Sequence, residues 1–346
     1  MSLPPLPAQP QGTPWPTEAW PTGPIPASAD VGRIARMLDG AFAGGSSAEL
    51  GETHALLIVK AGRIVAERYG EGFGPEATCR SWSMAKSITQ ALVGMLVGDG
   101  RLDISAPADV AQWRAKGDPR GAITLDQLLR MSSGLAFLEE YVQGAPSDVI
   151  EMLFGAGKDD VAAFAASFPL AHPPGSFFAY SSGTTNIVSR CAATALGQDG
   201  AGFEAFMRAR LFEPLGMKSP LPRFDAAGTF IGSSFCFCTP RDFARFGLLY
   251  LRGGVWDGVR LLPEGWVDYA RTPTFQQSGG DADGPYGAHW RLGLAGPGSF
   301  SANGHDGQYI VLCPDQDLIL VRNGATPMAA NDTLKAWLKD LTAAFG

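Results

Sequence analysis

A serine and a lysine stand three residues apart, at positions 83 and 86, in the segment RSWSMAKSITQALVGMLVGDG. A serine hydroxyl is a poor nucleophile until a neighbouring base removes its proton. A lysine amine can be that base when it is neutral, and burial or the positive end of a helix favours the neutral form. Ser83 and Lys86 therefore have the residue types that nucleophilic catalysis requires, provided that the fold holds them together.

The residues after this pair predict a helix that would position it. Apolar side chains recur from Ile88 to Leu96 at the spacing of one helix face, and Gly98-Asp99-Gly100 ends the pattern. Residues three apart share a helix face, so the amine of Lys86 can reach the hydroxyl of Ser83. Ser-x-x-Lys alone is a weak signal, because a serine at a helix start is commonly a cap and a nearby lysine is commonly solvated.

Two later segments carry side chains that suit the same chemistry. In PGSFFAYSSGTTNIVSR, Tyr180 is followed two residues later by Ser182, after a Pro-Gly turn and before a helical pattern. In SANGHDGQYIVLCP, His305 and Gly307 lead directly into an apolar strand. Taken singly, these residues have ordinary interpretations as a core aromatic, a turn residue and a loop histidine. Taken together with Ser-x-x-Lys, and in this order, they predict a catalytic site.

The three motifs together resemble those of the penicillin-recognising serine hydrolases, which have Ser-x-x-Lys, then Tyr-x-Asn or Tyr-x-Ser, then Lys-Thr-Gly or His-x-Gly. That superfamily includes class C β-lactamases, DD-peptidases, related esterases and 6-aminohexanoate-dimer hydrolases. Flanking segments such as ITLDQLLRMSSGL and LFEPLGMKSP are similar to the same family, so the resemblance covers roughly residues 30 to 345. It implies an α/β domain with an antiparallel sheet flanked by helices, an inserted all-α domain, and a site between them.

The resemblance also implies a role for each motif residue. Ser83 would be the acylated nucleophile, and Lys86 would be its base or would hold Tyr180 as the base. Tyr180 would pass the proton to the leaving group, and water would then hydrolyse the acyl-enzyme. The backbone N–H groups of Ser83 and Gln308 would form the oxyanion hole. Three further residues would contact the substrate: Ser182, His305 and Gly307.

Two departures from the family pattern bear on the substrate. Ser182 stands where β-lactamases have an asparagine that bonds the substrate amide, and His305 stands where a lysine attracts the substrate carboxylate. Asp306 follows, and its charge would repel an anion if it faced the site. The sequence therefore favours a carboxylic ester or a small linear amide, and it resembles the 6-aminohexanoate-dimer hydrolase and esterase branch. Two alternatives stay open: a β-lactamase or DD-peptidase, and a non-catalytic binding module on the same fold.

The composition limits the partners. The net charge is −7 and the basic residues are scattered, which argues against a nucleic-acid surface. No apolar run reaches the roughly 18 residues that a membrane span needs. The paired Cys236 and Cys238 are more typical of small buried side chains than of a metal site. We therefore predict a small-molecule substrate, no metal, no cofactor and no membrane partner. The N-terminus lacks the pattern of a signal peptide, which favours the cytoplasm.

The distribution of periodic segments predicts the architecture. HALLIVKAGRIVAERY and QYIVLCPDQDLILVRNG, near opposite ends of the chain, each predict a hairpin, and the middle is mostly helical. Trp15 and Trp20 are expected to pin an extended, proline-rich N-terminal segment onto the body. The predicted division is a Pro-rich arm at 1–28, an α/β sheet domain of 29–97 and 246–346, and an inserted, mainly helical domain at 98–245.

Overall fold

The computed structural model describes residues 3–43, 47–141, 144, 146–275 and 284–346. The first two residues of the predicted arm, and short segments of both predicted domains, lie outside the described residues. The helices are α1 (Val31–Phe42), α2 (Ser47–Leu50), α3 (Ala85–Gly98), α4 (Leu125–Leu129), α5 (Asp148–Phe154), α6 (Val161–Ala166), α7 (Ser182–Leu196), α8 (Gly200–Met207), α9 (Pro240–Leu251), α10 (Trp266–Ala270) and α11 (Asn331–Ala343).

The main sheet is antiparallel and has the strand order β2-β1-β10-β9-β8-β7. The strands are β1 (Glu52–Lys60), β2 (Arg63–Tyr69), β3 (Leu221–Pro222), β4 (Cys236–Phe237), β5 (Val255–Trp256), β6 (Val259–Arg260), β7 (Arg291–Leu292), β8 (Phe300–Gly304), β9 (Gln308–Cys313) and β10 (Leu318–Ala325). The hairpins from opposite chain ends meet where β1 pairs with β10, with Lys60 opposite Leu318. The prediction that both ends of the chain build one sheet is confirmed.

Helices cover both faces of this sheet. Because successive residues of a strand point to opposite faces, β1 divides its side chains between two apolar layers. Leu56 and Ile58 pack with the layer that contains α1 and α11, whereas Leu57 and Val59 pack with the layer that contains α3 and α9. The sheet is therefore buried on both sides, and its continuous apolar strands reflect that.

Helix α3 lies inside the molecule rather than on its surface. Every residue from Ala85 to Leu96 is buried, which is the pattern of a helix surrounded by other elements. Helix α7 packs against α3, and most of its residues are buried as well. The two polar segments that the sequence singled out, at the beginnings of α3 and α7, are therefore held by the most rigidly packed helices of the fold.

The predicted boundary between residues 245 and 246 falls inside α9. Phe243 and Phe246 are both fully buried, and α9 packs on β1, β9 and β10 along its length. Thr239 caps the beginning of this helix, since its side chain accepts a hydrogen bond from the backbone N–H of Asp242. The division into domains itself stays a prediction.

The proline-rich arm packs against the body, as predicted. The ring centroids of Trp15 and Trp256 lie 5.0 Å apart, and the indole N–H of Trp20 donates to the carbonyl of Arg241 at 3.1 Å. The buried guanidinium of Arg245 donates to the carbonyl of Pro16 at 2.7 Å. These contacts fix an extended segment that has little hydrogen-bonded structure of its own.

Candidate active site

Ser83 lies in a short 3₁₀ turn, Trp82–Met84, that runs directly into α3. The turn is anchored by Ser81, whose hydroxyl donates to the carbonyl of Ser234 at 3.1 Å and accepts from the backbone N–H of Cys236 at 2.9 Å. Trp82 has a φ of +43°, a conformation that costs energy in a residue with a bulky side chain. The fold thus holds a strained residue immediately before the serine.

The amine of Lys86 is in direct contact with Ser83. Lys86 is 1% exposed, and its Nζ lies 3.0 Å from each of three oxygens: Ser83 Oγ, Ser182 Oγ and the carbonyl O of Ser233. Nζ also lies 4.8 Å from the centroid of the Tyr180 ring. The structure therefore places the predicted nucleophile and the predicted base within hydrogen-bonding distance.

The beginning of α7 brings an acidic residue to the same cluster. Ser181 caps the helix by accepting from the backbone N–H of Thr184 at 3.2 Å. The next residue, Ser182, donates its hydroxyl to Glu139 Oε1 at 2.6 Å and its backbone N–H to Glu139 Oε2 at 2.7 Å. Both polar groups of Ser182 are thus engaged with Glu139 and Lys86.

This arrangement changes the predicted role of Ser182. The residue is 1% exposed and is not among the described residues that line the cavity next to Ser83. Its hydroxyl is committed to two protein partners, so it is not placed to bond a substrate amide. The expectation that Ser182 contacts the substrate stays a prediction, and the geometry gives Ser182 contacts with Glu139 and Lys86 instead.

A cavity of about 540 Å³ opens beside the serine. Its wall includes Ser83, Tyr180 and His305, which the sequence predicted, and also residues that it did not, among them Glu139, Arg291 and Asn303. The guanidinium carbon of Arg291 lies 4.8 Å from the ring centroid of Tyr180. A cavity of this size accommodates a small organic molecule.

Tyr141 closes one side of the cavity as a hydrogen-bond donor. Its hydroxyl donates to Glu139 Oε1 at 2.5 Å, and its ring stacks on His305 with centroids 5.0 Å apart. Burial raises the pKa of the Tyr141 phenol far above its ordinary value, and the neighbouring carboxylate of Glu139 raises it further. Tyr141 therefore remains protonated and cannot serve as a phenolate base.

The third motif forms a turn, Asp306 having a φ of +59°, between β8 and β9. His305 and Asp306 line the cavity and contact each other, Nε2 to Oδ1, at 3.2 Å. Gly307 is buried and packs against the guanidinium of Arg322, which donates to the carbonyl of Gly307 at 2.8 Å. Gly307 is therefore held behind the cavity wall rather than at its surface.

Gln308 also lies behind the wall. It is 2% exposed, and its side-chain amide donates to the carbonyls of His305 and Gly324 at 3.2 and 2.6 Å. The segment that approaches the serine turn is the end of β8, where an added Cβ on Gly304 would collide with the carbonyl oxygen of Ser81. The end of β8, which His305 follows, is thus the part of this segment that lies beside the serine turn, and Gln308 as an oxyanion donor stays a prediction.

A buried histidine supports the cluster from behind. His289 bonds the carbonyl of Leu129 through Nδ1 at 2.7 Å and Thr185 Oγ1 through Nε2 at 2.9 Å. Its own carbonyl accepts from the hydroxyl of Ser87 at 2.7 Å. Burial lowers the pKa of His289 to about 3. The imidazole is therefore neutral at ordinary pH. It links α4 to α7, and the backbone carbonyl of His289 adds a bond to α3.

The residues that the sequence missed had little signal to reveal them. Glu139 belongs to the run FLEEY, where an acidic pair interrupts apolar residues but no spacing relates it to Lys86 or Ser182. Arg291 lies within the flank YGAHWRLG, whose likeness to the family gave no role to the arginine. Both reach the site only through long-range packing.

The sequence profile of the Beta-lactamase family matches residues 48–341. The chain belongs to the Beta-lactamase family. The family assignment predicted from the three motifs is confirmed, and with it the prediction that the protein is a hydrolase. A 6-aminohexanoate-dimer hydrolase from Paenarthrobacter ureafaciens is 26% identical over 290 residues, which are 80% of this chain and 73% of that protein.

Solved structures agree with the Beta-lactamase fold. A Bacillus anthracis protein provisionally described as a 6-aminohexanoate-dimer hydrolase superposes with a TM-score of 0.76 at 22% identity, covering 94% of this chain and 87% of its own. A family VIII carboxylesterase superposes with a TM-score of 0.66 at 13% identity, covering 92% and 99%. The predicted fold class, an antiparallel sheet flanked by helices with a helical insertion, is confirmed.

The structure also bears on the membrane prediction. Within the described ranges, none of the helices combines the length and the apolar character that crossing a bilayer requires. The expected cytoplasmic location stays a prediction.

Proposed function

We propose that this member of the Beta-lactamase family hydrolyses carboxylic esters or small linear amides through an acyl-enzyme on Ser83. The observation that carries the proposal is the 3.0 Å contact between Ser83 Oγ and Lys86 Nζ at the wall of a cavity. The base accepts the proton of Ser83 while Ser83 Oγ attacks the substrate carbonyl carbon. Tyr180, next to both residues, delivers a proton to the leaving group, and water hydrolyses the acyl-enzyme.

Two backbone N–H groups stabilise the oxyanion in this proposal. That of Ser83 lies in the first turn of a helix, where N–H groups have no intrahelical acceptor. The second is that of His305, in place of Gln308, because the end of β8 approaches the serine turn. Donors of this kind lower the barrier to acyl transfer by stabilising charge that develops only in the transition state.

The charges at the cavity support a substrate without a carboxylate at the cleaved bond. Glu139 and Asp306 both line the cavity, and carboxylates in a partly enclosed site repel an anionic group. The relative from Paenarthrobacter ureafaciens is named for a linear amide, which agrees with this substrate class.

Hydrolysis of a β-lactam or a D-Ala-D-Ala peptide is the second candidate, and one observation favours it. Arg291 places a guanidinium in the cavity wall beside Tyr180, and such a group can bind a substrate carboxylate. Faster turnover of a chromogenic cephalosporin than of p-nitrophenyl butyrate would favour this candidate over the ester hydrolase.

The first experiment compares the wild type, Ser83→Ala and Ser105→Ala with a fluorophosphonate probe and p-nitrophenyl acetate and butyrate. Ser105 is an exposed turn serine far from the cavity and serves as the matched control. We expect a mass-spectrometric adduct on Ser83 and ester turnover in the wild type and Ser105→Ala, and neither in Ser83→Ala. A folded wild-type protein with no adduct and no turnover would instead support the non-catalytic binding module.

A further inference from the structure

The hydrogen bonds around Lys86 determine where its amine can donate and where it can accept. A neutral amine has two N–H donors and one lone pair, and Nζ has three oxygens at 3.0 Å. One of these, the carbonyl of Ser233, can only accept. The directions of the other two bonds depend on where the hydroxyl hydrogens of Ser182 and Ser83 point.

Glu139 determines which of Lys86 and Ser182 is the donor in the hydrogen bond between them. Its Oε1 lies 2.6 Å from the hydroxyl of Ser182, and a carboxylate oxygen can only accept there. The second carboxylate oxygen, 2.7 Å from the backbone N–H of Ser182, holds the group in place. Because the hydrogen of the Ser182 hydroxyl points to Glu139, its oxygen must accept from Lys86. Both N–H groups of a neutral Lys86 are then used.

Only the lone pair of Nζ remains for Ser83. We propose that Glu139 is a positioning residue that acts through Ser182 to aim the lone pair of Lys86 at the hydroxyl of Ser83. This inference rests on the proposed acyl-enzyme function, and it assigns the acylation base, which the sequence left open between Lys86 and Tyr180.

Lys86 takes up the proton of Ser83 as the acyl bond forms. The proton of Ser83 moves to the Nζ lone pair, Oγ forms a bond to the substrate carbonyl carbon, and the carbonyl π pair moves onto its oxygen. The resulting ammonium keeps its bonds to Ser182 and Ser233 and donates its third hydrogen toward the leaving group, directly or through Tyr180. Glu139 itself exchanges no proton with Ser83 or the substrate in this step.

Tyr141 reinforces the arrangement. Its phenol donates to the same oxygen of Glu139 that accepts from Ser182, at 2.5 Å. The carboxylate thereby receives three hydrogen bonds from two elements that are distant in the chain, Glu139 and Ser182 being 43 residues apart. These three bonds hold the carboxylate of Glu139 in place, so it keeps accepting the hydrogen of the Ser182 hydroxyl.

A double-mutant cycle tests the proposal. The acylation rate with p-nitrophenyl butyrate is measured by stopped flow for the wild type, Glu139→Ala, Ser182→Ala and the double variant. We expect Glu139→Ala to lower the acylation rate constant by about 10- to 100-fold, in the range of a misoriented general base, with KM changed less than about threefold. In the Ser182→Ala background, removing Glu139 should cost less than about threefold, because its effect passes through that hydroxyl.

Two further variants separate positioning from charge and from folding. Glu139→Gln keeps an acceptor oxygen for Ser182 and should recover most of the lost rate. If the alanine variant does not fold, Glu139→Met, which is close to glutamate in size but has no carboxylate to accept from Ser182, takes its place in the cycle. Glu140→Gln, at the exposed neighbouring carboxylate, removes the same charge outside the network and should match the wild type. Urea midpoints of all variants establish that each is folded.

The results that overturn the proposal are specific. Additive losses in the cycle, equal losses in Glu139→Ala and Glu139→Gln, a change confined to KM, or an unchanged acylation rate would each exclude positioning through Ser182. A wild type that is not acylated at Ser83 would remove the proposed function as well. Normal wild-type acylation together with any of the first four results would remove only this inference.

Discussion

His289 is a neutral imidazole that the fold excludes from water. Its φ of +58° is uncommon for a residue other than glycine, so the surrounding hydrogen bonds offset some backbone strain. Because burial lowers its pKa to about 3 in the folded state, the unfolded chain binds a proton first as the pH falls. The stability that His289 contributes is complete above about pH 6.5 and is lost progressively toward pH 3.

The variant His289→Asn tests this linkage, since asparagine tolerates the left-handed backbone. Between pH 6.5 and pH 5 the wild type should lose about 2 kcal/mol of unfolding free energy that the variant does not lose. Urea denaturation at half-unit pH intervals measures the difference in slope. Parallel pH dependences of the two proteins would show that His289 has an ordinary pKa in the folded state.

The close approach of β8 to the serine turn gives a second residue-scale prediction. Gly304→Ala adds a methyl group that collides with the carbonyl of Ser81, so the end of β8 and the N–H of His305 must move away from the oxyanion. We expect kcat for p-nitrophenyl butyrate to fall by about 100-fold, as on loss of one oxyanion donor.

The matched control for this prediction is Gly74→Ala. Gly74 has no atom within 4 Å of an added Cβ and no positive φ, so kcat should stay at the wild-type value. A Gly304→Ala variant with undiminished kcat would remove the N–H of His305 from the proposed oxyanion hole.

The sequence could predict contacts between residues close together in the chain better than contacts between distant segments. Ser83 and Lys86 are three apart in one helix, so helical geometry alone brings them together. Glu139 reaches Ser182 only after two chain segments fold against each other, and no local pattern encodes that contact. The backbone N–H of Gln308 as an oxyanion donor stays a prediction. The positive φ of Asp306 turns the chain between β8 and β9, and no local sequence pattern indicates that conformation.

Among the elements, α3 is packed so closely that it has no room for a larger side chain at Gly94. Gly94, in its centre, lets the indole ring of Trp266 pack directly on the helix backbone, and an added Cβ would overlap that ring. The indole N–H of Trp266 donates to the carbonyl of Gln90 at 3.2 Å, which holds the ring in place. Close helix packing here outweighs the lower helix propensity of glycine.

We therefore expect Gly94→Ala to lower the free energy of unfolding by about 1–3 kcal/mol, the usual range for overpacking. The control is Gly32→Ala in α1, where an added Cβ has only ordinary contacts and should be neutral or stabilise by up to about 1 kcal/mol. Urea denaturation measures both. Stabilisation of the Gly94→Ala variant would show that the Trp266 ring moves without loss.

Elements were more predictable than sites because their signals are local. Thr124 and Gln127 form a capping box, which their three-residue spacing favours, and both terminal hairpins lie where alternation and turn residues placed them. The helical run after Gly200 instead changes to a π-helical turn over Arg208–Phe212. That change adds a residue to one turn and leaves the apolar spacing almost intact, so the periodicity does not show it.

At the scale of the whole molecule, the arm accepts hydrogen bonds from polar side chains of the body. The guanidinium of Arg252 donates to the carbonyl of Pro7 at 3.3 Å, and the indole of Trp256 donates to Thr17 Oγ1 at 2.8 Å. None of the described residues of the arm lines the cavity beside Ser83. The arm is therefore expected to affect stability and not turnover.

Deletion of residues 1–20 removes two packed tryptophans and should lower the free energy of unfolding by at least about 3 kcal/mol. The values of kcat and KM for p-nitrophenyl butyrate, measured at a temperature where the variant is fully folded, should match those of the full chain. A folded variant with altered kcat would show that the arm reaches the active site.

The reacting groups and the outer residues of the cavity wall differ in burial, and this difference has a consequence for adaptation. Lys86, which contacts Ser83 from behind the cavity wall, is 1% exposed, whereas Phe177 and Met328, which line the cavity, are 49% and 59% exposed. Substitutions at exposed positions usually change stability by less than about 0.5 kcal/mol. Laboratory selection can therefore substitute exposed wall residues such as Phe177 and Met328 to change which acyl groups bind. Lys86 lies in a core where few substitutions are tolerated.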